Sequence, residues 1–151
     1  MGRSVPLAVL FACSRNAVRS PMAAALFAQA FGRTVRVASA GVRKGEIDGF
    51  AVAVMAELGL DISRHKPTTL QELQEWEGLD FDLIVTLAPE AHHRALELAR
   101  ISGLDVEYWP TADPTAVEGN REQRLDAYRQ VRDQLMARIR ARFVSRGTGN
   151  E

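Results

Sequence analysis

Short apolar runs alternate with stretches of helical periodicity along the whole chain. Val5-Pro6-Leu7-Ala8-Val9-Leu10-Phe11-Ala12 is continuously apolar, the pattern of a strand buried on both faces of a parallel sheet. A polar loop, Cys13 to Arg19, separates it from a helix opening on Ser20-Pro21, with serine in the cap place and proline in the first turn. That helix continues through alanine-rich Met22 to Phe31, and Gly32 stops it. Alternation over Val35-Arg36-Val37-Ala38 predicts a second strand running into Ser39-Ala40-Gly41. A helix from about Gly49 to Leu58 follows, with Asp48 as its cap and Gly59 as its stop. A short helix starts at Thr68 or Thr69 and runs through Trp76. Phe81 to Leu87 is a third strand, Pro89 to Ile101 a helix, and Val106 to Trp109 a fourth strand. The last helix, about Arg121 to Val144, carries Leu125, Tyr128, Val131, Leu135, Ile139 and Phe143 on one stripe. Asn120 and Gln123 stand at capping-box spacing before it.

Strands alternating with helices predict an α/β fold: one three-layer domain, a four-stranded parallel sheet with helices on both faces. The 151 residues suit a single domain. Its expected extent is residues 1–146, and Gly147 to Glu151 reads as a flexible tail. Ligands in such sheets bind beyond the carboxyl ends of the strands, which is where Cys13 falls.

Charge narrows the function classes. Nineteen basic and nineteen acidic side chains cancel, so the molecule as a whole has no electrostatic reason to bind nucleic acid or an anionic membrane. Any preference for anions is therefore local. The run Val5 to Ala12 is too short to span a bilayer, and the N-terminus lacks a signal-peptide pattern. One cysteine makes no intrachain disulfide, so the expected setting is reducing and cytoplasmic. His92 and His93 are adjacent, point apart on a helix and make a poor metal pair; they read as surface residues.

The local chemistry lies in Cys13-Ser14-Arg15-Asn16-Ala17-Val18-Arg19-Ser20. A loop feeding a helix N-terminus aims backbone N–H groups at one point, and the helix dipole adds positive potential there. The guanidinium of Arg19 is suited to grip two oxygens of a tetrahedral anion. The same field favours the thiolate form of a cysteine. Asn16 tolerates a left-handed backbone inside the loop, and the Ser20 hydroxyl is a donor for the sulfur. The alternative is a buried core cysteine with Arg19 as a solvated helix residue.

This run resembles the phosphate-binding loop, C-x5-R-S, of the low-molecular-weight protein tyrosine phosphatases and the related thiol-dependent arsenate reductases. Ser39-Ala40-Gly41, Gly59-Leu60-Asp61-Ile62-Ser63 with His65, Phe81 to Thr86, and Asp113-Pro114 follow in the family's order. The resemblance implies Cys13 as nucleophile, Arg19 as oxyanion holder and Asp113 as general acid. It implies Ser14, Arg15, Asn16, Ala17, Val18 and Ser20 as substrate-binding loop positions, and Ser39 and His65 as loop supports with Asn16 and Ser20. It requires no metal and no cofactor. The expected activity is phosphatase action through a cysteinyl-phosphate, on a phosphorylated protein or a small phosphomonoester, with phosphate, sulfate or arsenate as anion ligands. An arsenate reductase using an external thiol such as glutathione or mycothiol is the alternative, and a non-catalytic oxyanion-binding module is a third reading.

Three departures from the family's pattern stand out. Arg15 stands where many members of the family carry glycine, and Val18 where many carry a second cysteine. The segments Val42-Arg43-Lys44-Gly45 and Thr115-Ala116-Val117 hold none of the aromatic rings that frame phosphotyrosine in tyrosine-selective members. Arg43 and Lys44 are either a cationic lure for an acidic substrate or a solvated loop tip.

Overall fold

The computed structural model describes residues 6–143. The tail expected over residues 147–151 lies outside that range. Four strands, β1 (Ala8–Cys13), β2 (Arg36–Gly41), β3 (Leu83–Thr86) and β4 (Asp105–Tyr108), form a sheet in the order β2-β1-β3-β4. Every neighbouring pair is parallel. Four helices lie in the connections, α1 (Arg19–Phe31), α2 (Gly49–Ala56), α3 (Leu70–Glu77) and α4 (Pro89–Ser102), and α5 (Arg121–Arg142) follows β4. A 3-10 turn covers Pro114–Ala116.

The central strand shows why both faces are covered. Val9, Phe11 and Cys13 belong to one core, with residues of α1, α2 and α5. Ala8, Leu10 and Ala12 belong to the other, with α3 and α4. Side chains alternate across a strand, so a continuous apolar run supplies two cores at once. All six residues of β1 are buried. The larger core is rich in rings: Phe27 packs edge-on against Phe143 at 5.0 Å and also against Phe31. Trp109, just past β4, is buried and meets Phe11 edge-on.

Most element ends follow from capping. The Asp48 carboxylate accepts from the N–H groups of Phe50 and Ala51. Thr69 and Asn120 each close a full capping box, with Glu72 and Gln123 respectively. β3 begins later than the apolar pattern predicts, because Asp82 turns its carboxylate onto the N–H groups of Leu7 and Ala8. Ser20 is not the cap of α1, contrary to expectation. The helix starts at Arg19 and Val18 stands in the cap place, with no side-chain cap bond; the Ser20 hydroxyl is engaged elsewhere.

Candidate active site

β1 is the strand at which the sheet order reverses, flanked by β2 and β3. Its carboxyl end is therefore the crevice where parallel sheets bind ligands. Cys13 ends the strand there, with only 2% of its surface exposed. From Ser14 to Ser20 the backbone N–H groups donate to no acceptor among the described residues. A consecutive run of unpartnered N–H groups converging beside a helix N-terminus has the form of an anion cradle.

The loop keeps this shape through Asn16. Its φ of 56° is the only left-handed one among described non-glycine residues, and its side chain is fully buried. The amide nitrogen donates to Ser20 Oγ at 2.8 Å and to Ser39 Oγ at 2.9 Å. The amide oxygen accepts from the Thr68 N–H and faces His65 Nε2, both at 2.9 Å. Two donations and two acceptances fix which end of the amide is which, and they make Nε2 of His65 a donor to the amide oxygen. Burial holds the His65 imidazole below its ordinary pKa, and the hydrogen bond to Asn16 offsets part of that. Gly41 supplies the clearance beneath the loop. A Cβ there would stand 2.8 Å from the Asn16 nitrogen and 2.9 Å from the Arg15 carbonyl carbon.

Ser20 Oγ lies 2.9 Å from Cys13 Sγ and 3.3 Å from the Ala40 carbonyl oxygen. Arg19 Nη1 donates to the Thr111 carbonyl at 2.9 Å, which ties the loop to the segment that carries Asp113. Asp113 Oδ1 accepts from the backbone and hydroxyl of Thr115, so the carboxylate caps its own turn. A cavity of about 530 Å³ brings Cys13, Ser14, Arg15, Ala17, Val18 and Arg19 together with Asp113.

The sequence profile described as "Low molecular weight phosphotyrosine protein phosphatase" matches residues 8–145. The chain belongs to that family. Among curated relatives, the arsenate reductase of Halalkalibacterium halodurans is 33% identical over 133 residues, 87% of this chain and 91% of the relative. The glutaredoxin arsenate reductase of Synechocystis sp. is 30% identical, covering 87% and 92%. Among solved structures, a YwlE mutant from Bacillus subtilis superimposes with a TM-score of 0.71 at 27% identity, covering 89% of this chain and 94% of that one.

As a member of the phosphatase family, the chain gathers Cys13, Arg19 and Asp113 at one cavity, and it joins Asn16, Ser20, Ser39 and His65 in one hydrogen-bonded group. The buried side chains of Asn16 and Ser20 turn into the polar group beneath the loop, so what these two positions offer the cradle is their backbone N–H groups. Arg43 and Lys44 are not free lures: Arg43 forks onto Glu90 and Lys44 pairs with Glu72. His92 is not a plain surface residue either. It is half-buried, stacks on Tyr108 at 4.5 Å and bonds Thr86 Oγ1, whereas His93 is exposed.

Other site residues carry no sequence signal of their own. Asp48 lines the cavity, and its Oδ2 accepts from Tyr128 across 80 positions of sequence at 3.0 Å. Burial, then the Asp48 carboxylate, push the Tyr128 hydroxyl well above its ordinary pKa. Glu90 takes Arg43 and also Ser14, which hold its carboxyl below the usual range.

Proposed function

We propose that this chain hydrolyses phosphomonoesters, small or on proteins, through a cysteinyl-phosphate on Cys13. The observation that carries the reading is the run of unpartnered amides from Ser14 to Ser20, closed by Arg19, around a buried sulfur. These donors match the equatorial oxygens of a phosphoryl group and strengthen as its charge grows. In the first step Cys13 Sγ attacks phosphorus and the phosphorus–oxygen ester bond breaks. Asp113 gives its proton to the departing oxygen. In the second step Asp113 takes a proton from water, the water oxygen attacks phosphorus, and the sulfur leaves as thiolate. A cavity of about 530 Å³ suits an organic leaving group beyond the oxyanion.

The second reading is arsenate reduction, favoured by the names of the curated relatives. Here Sγ displaces a hydroxyl of arsenate as water. An external thiol then attacks Sγ, and the sulfur–arsenic electron pair reduces arsenic to arsenite. Cys13 is left in a mixed disulfide, which a further external thiol clears. Because Cys13 is the only cysteine, every reducing thiol on this route is external. That dependence separates the two routes: hydrolysis needs only water, whereas reduction proceeds only with an added thiol.

The test is turnover of p-nitrophenyl phosphate set against arsenate with glutathione or a glutaredoxin. Phosphatase turnover abolished in Cys13→Ser and slowed about 100-fold or more in Asp113→Ala is the expected result. Thiol-dependent arsenate reduction without phosphatase turnover replaces the first reading by the second. Phosphate binding without either reaction leaves a non-catalytic anion module. Because one structural neighbour is a YwlE arginine phosphatase with a phosphorylated active-site serine in a mutant, phosphoarginine belongs in the same substrate panel.

A further inference from the structure

Three arginines line the cavity: Arg15, Arg19 and Arg43. Two are committed within the protein. Arg19 donates to the Thr111 carbonyl, and Arg43 is forked onto Glu90. The Arg15 side chain alone of the three forms no hydrogen bond or ion pair with any described residue. The carboxylates that share the cavity are Glu46, Asp48 and Asp113, and none of them pairs with it.

Arg15 is nevertheless seated. Its carbonyl accepts from the Gly45 N–H at 3.0 Å. A Cβ placed on Gly45 would stand 3.3 Å from Arg15 Cβ and 3.4 Å from its Cδ. Gly45 is not among the glycines with left-handed φ, so its backbone does not call for glycine. The space its missing side chain leaves is the space the Arg15 stem occupies. A long side chain whose stem is packed and whose charged head stays in water is a partly preorganised receptor. Its planar fork suits a carboxylate or a phosphate.

We propose that Arg15 is a second anion-binding group of this site, so that favoured ligands carry a further anionic group beside the oxyanion held by the loop. This rests on the reading of the loop as an oxyanion cradle but not on the reaction that follows. In it, the loop and Arg19 hold the reacting oxyanion while Arg15 takes a neighbouring carboxylate or phosphate. Arg15 is thereby a specificity residue of the cavity wall.

Two probes separate these roles: methylphosphonate, with one anionic group, and phosphonoacetate, which adds a carboxylate to the same phosphonate. Calorimetric titration of the full chain at fixed pH and salt is expected to give phosphonoacetate about a fivefold advantage, the upper end for an exposed ion pair. Arg15→Gln removes most of that advantage, Arg15→Lys keeps part of it, and Gly45→Ala, by crowding the stem, reduces it. Raising the salt also shrinks it. Equal affinities in the unaltered chain, or an advantage that survives Arg15→Gln, overturn the proposal. Failure of both probes to bind overturns it together with the cradle. An Arg15-dependent advantage in a chain that turns over no aryl phosphate sustains the proposal while the hydrolytic reading falls.

Discussion

Replacing Asn16 separates the strain of the loop from the bonds that hold it. Its side chain makes two donations and two acceptances, all between 2.8 and 2.9 Å and in a fully buried position. A net hydrogen bond is worth about 1 kcal/mol, and a buried partner left unpaired costs about 1–3 kcal/mol. Some of the four partners regain water, so Asn16→Gly is expected to cost about 3–4 kcal/mol. Asn16→Ala adds the penalty of a Cβ at φ 56°, about 1 kcal/mol more. Both are large fractions of the roughly 5–15 kcal/mol that stabilises a domain. Urea unfolding of the three proteins, with phosphate binding measured alongside, gives both quantities. Equal stabilities for the alanine and glycine variants refute the strain argument. A loss below about 1 kcal/mol in Asn16→Gly refutes the claim that this side chain holds the cradle.

Gly41→Ala pushes a methyl within 3 Å of the loop backbone at Arg15 and Asn16, so oxyanion affinity falls at least tenfold; a calorimetric titration matching the unaltered chain contradicts this. Tyr128→Phe deletes the donor to Asp48 Oδ2 and is expected to cost about 1–2 kcal/mol in urea unfolding, an unchanged midpoint counting against the bond. His65 has a folded pKa below its ordinary value, so its stabilising contribution is complete above about pH 6.5 and is lost as pH falls through the folded pKa. The unaltered chain should therefore lose more melting temperature than His65→Gln between about pH 7 and pH 5, and parallel curves would argue against a role for that imidazole. With no second thiol to trap a sulfenic acid, sustained peroxide drives Cys13 to irreversible oxidation; full recovery by a dithiol after prolonged treatment would rule this out.

Local patterns carried most of the fold. The apolar run of β1, the caps at Asp48, Thr69 and Asn120, and the stripe on α5 each express one short-range rule, and each element appears within a few residues of its expected place. The misreadings arose where a distant group outbid a local one. Ser20-Pro21 has the form of a helix start, yet the Ser20 hydroxyl goes to Cys13 and Asn16 rather than to the helix N–H groups. Asp82 looks like a strand residue and instead ties down Leu7 and Ala8. Arg43 with Glu90, Arg19 with the Thr111 carbonyl, and Tyr128 with Asp48 join positions 47 to 92 apart. No window along the chain contains both members of any such pair. The Cys13 loop could be read because its chemistry is packed into consecutive residues.

Ser20 has one hydroxyl hydrogen and two places to send it, the Cys13 sulfur at 2.9 Å and the Ala40 carbonyl at 3.3 Å. One lone pair is already engaged by Asn16, and the hydrogen stays free to rotate between the two acceptors. A thiolate outcompetes a neutral carbonyl for it, because hydrogen bonds to charged acceptors are the stronger ones. A sulfur bonded to phosphorus or arsenic has lost its charge and gives the hydrogen back to Ala40. On either proposed reaction the hydroxyl is therefore a toggle whose position records whether the nucleophile is loaded. It would withdraw as the sulfur–oxyanion bond forms and return as that bond breaks, lending most help to sulfur as a departing group. Release from such an intermediate would thus be prepared one helical position beyond Arg19.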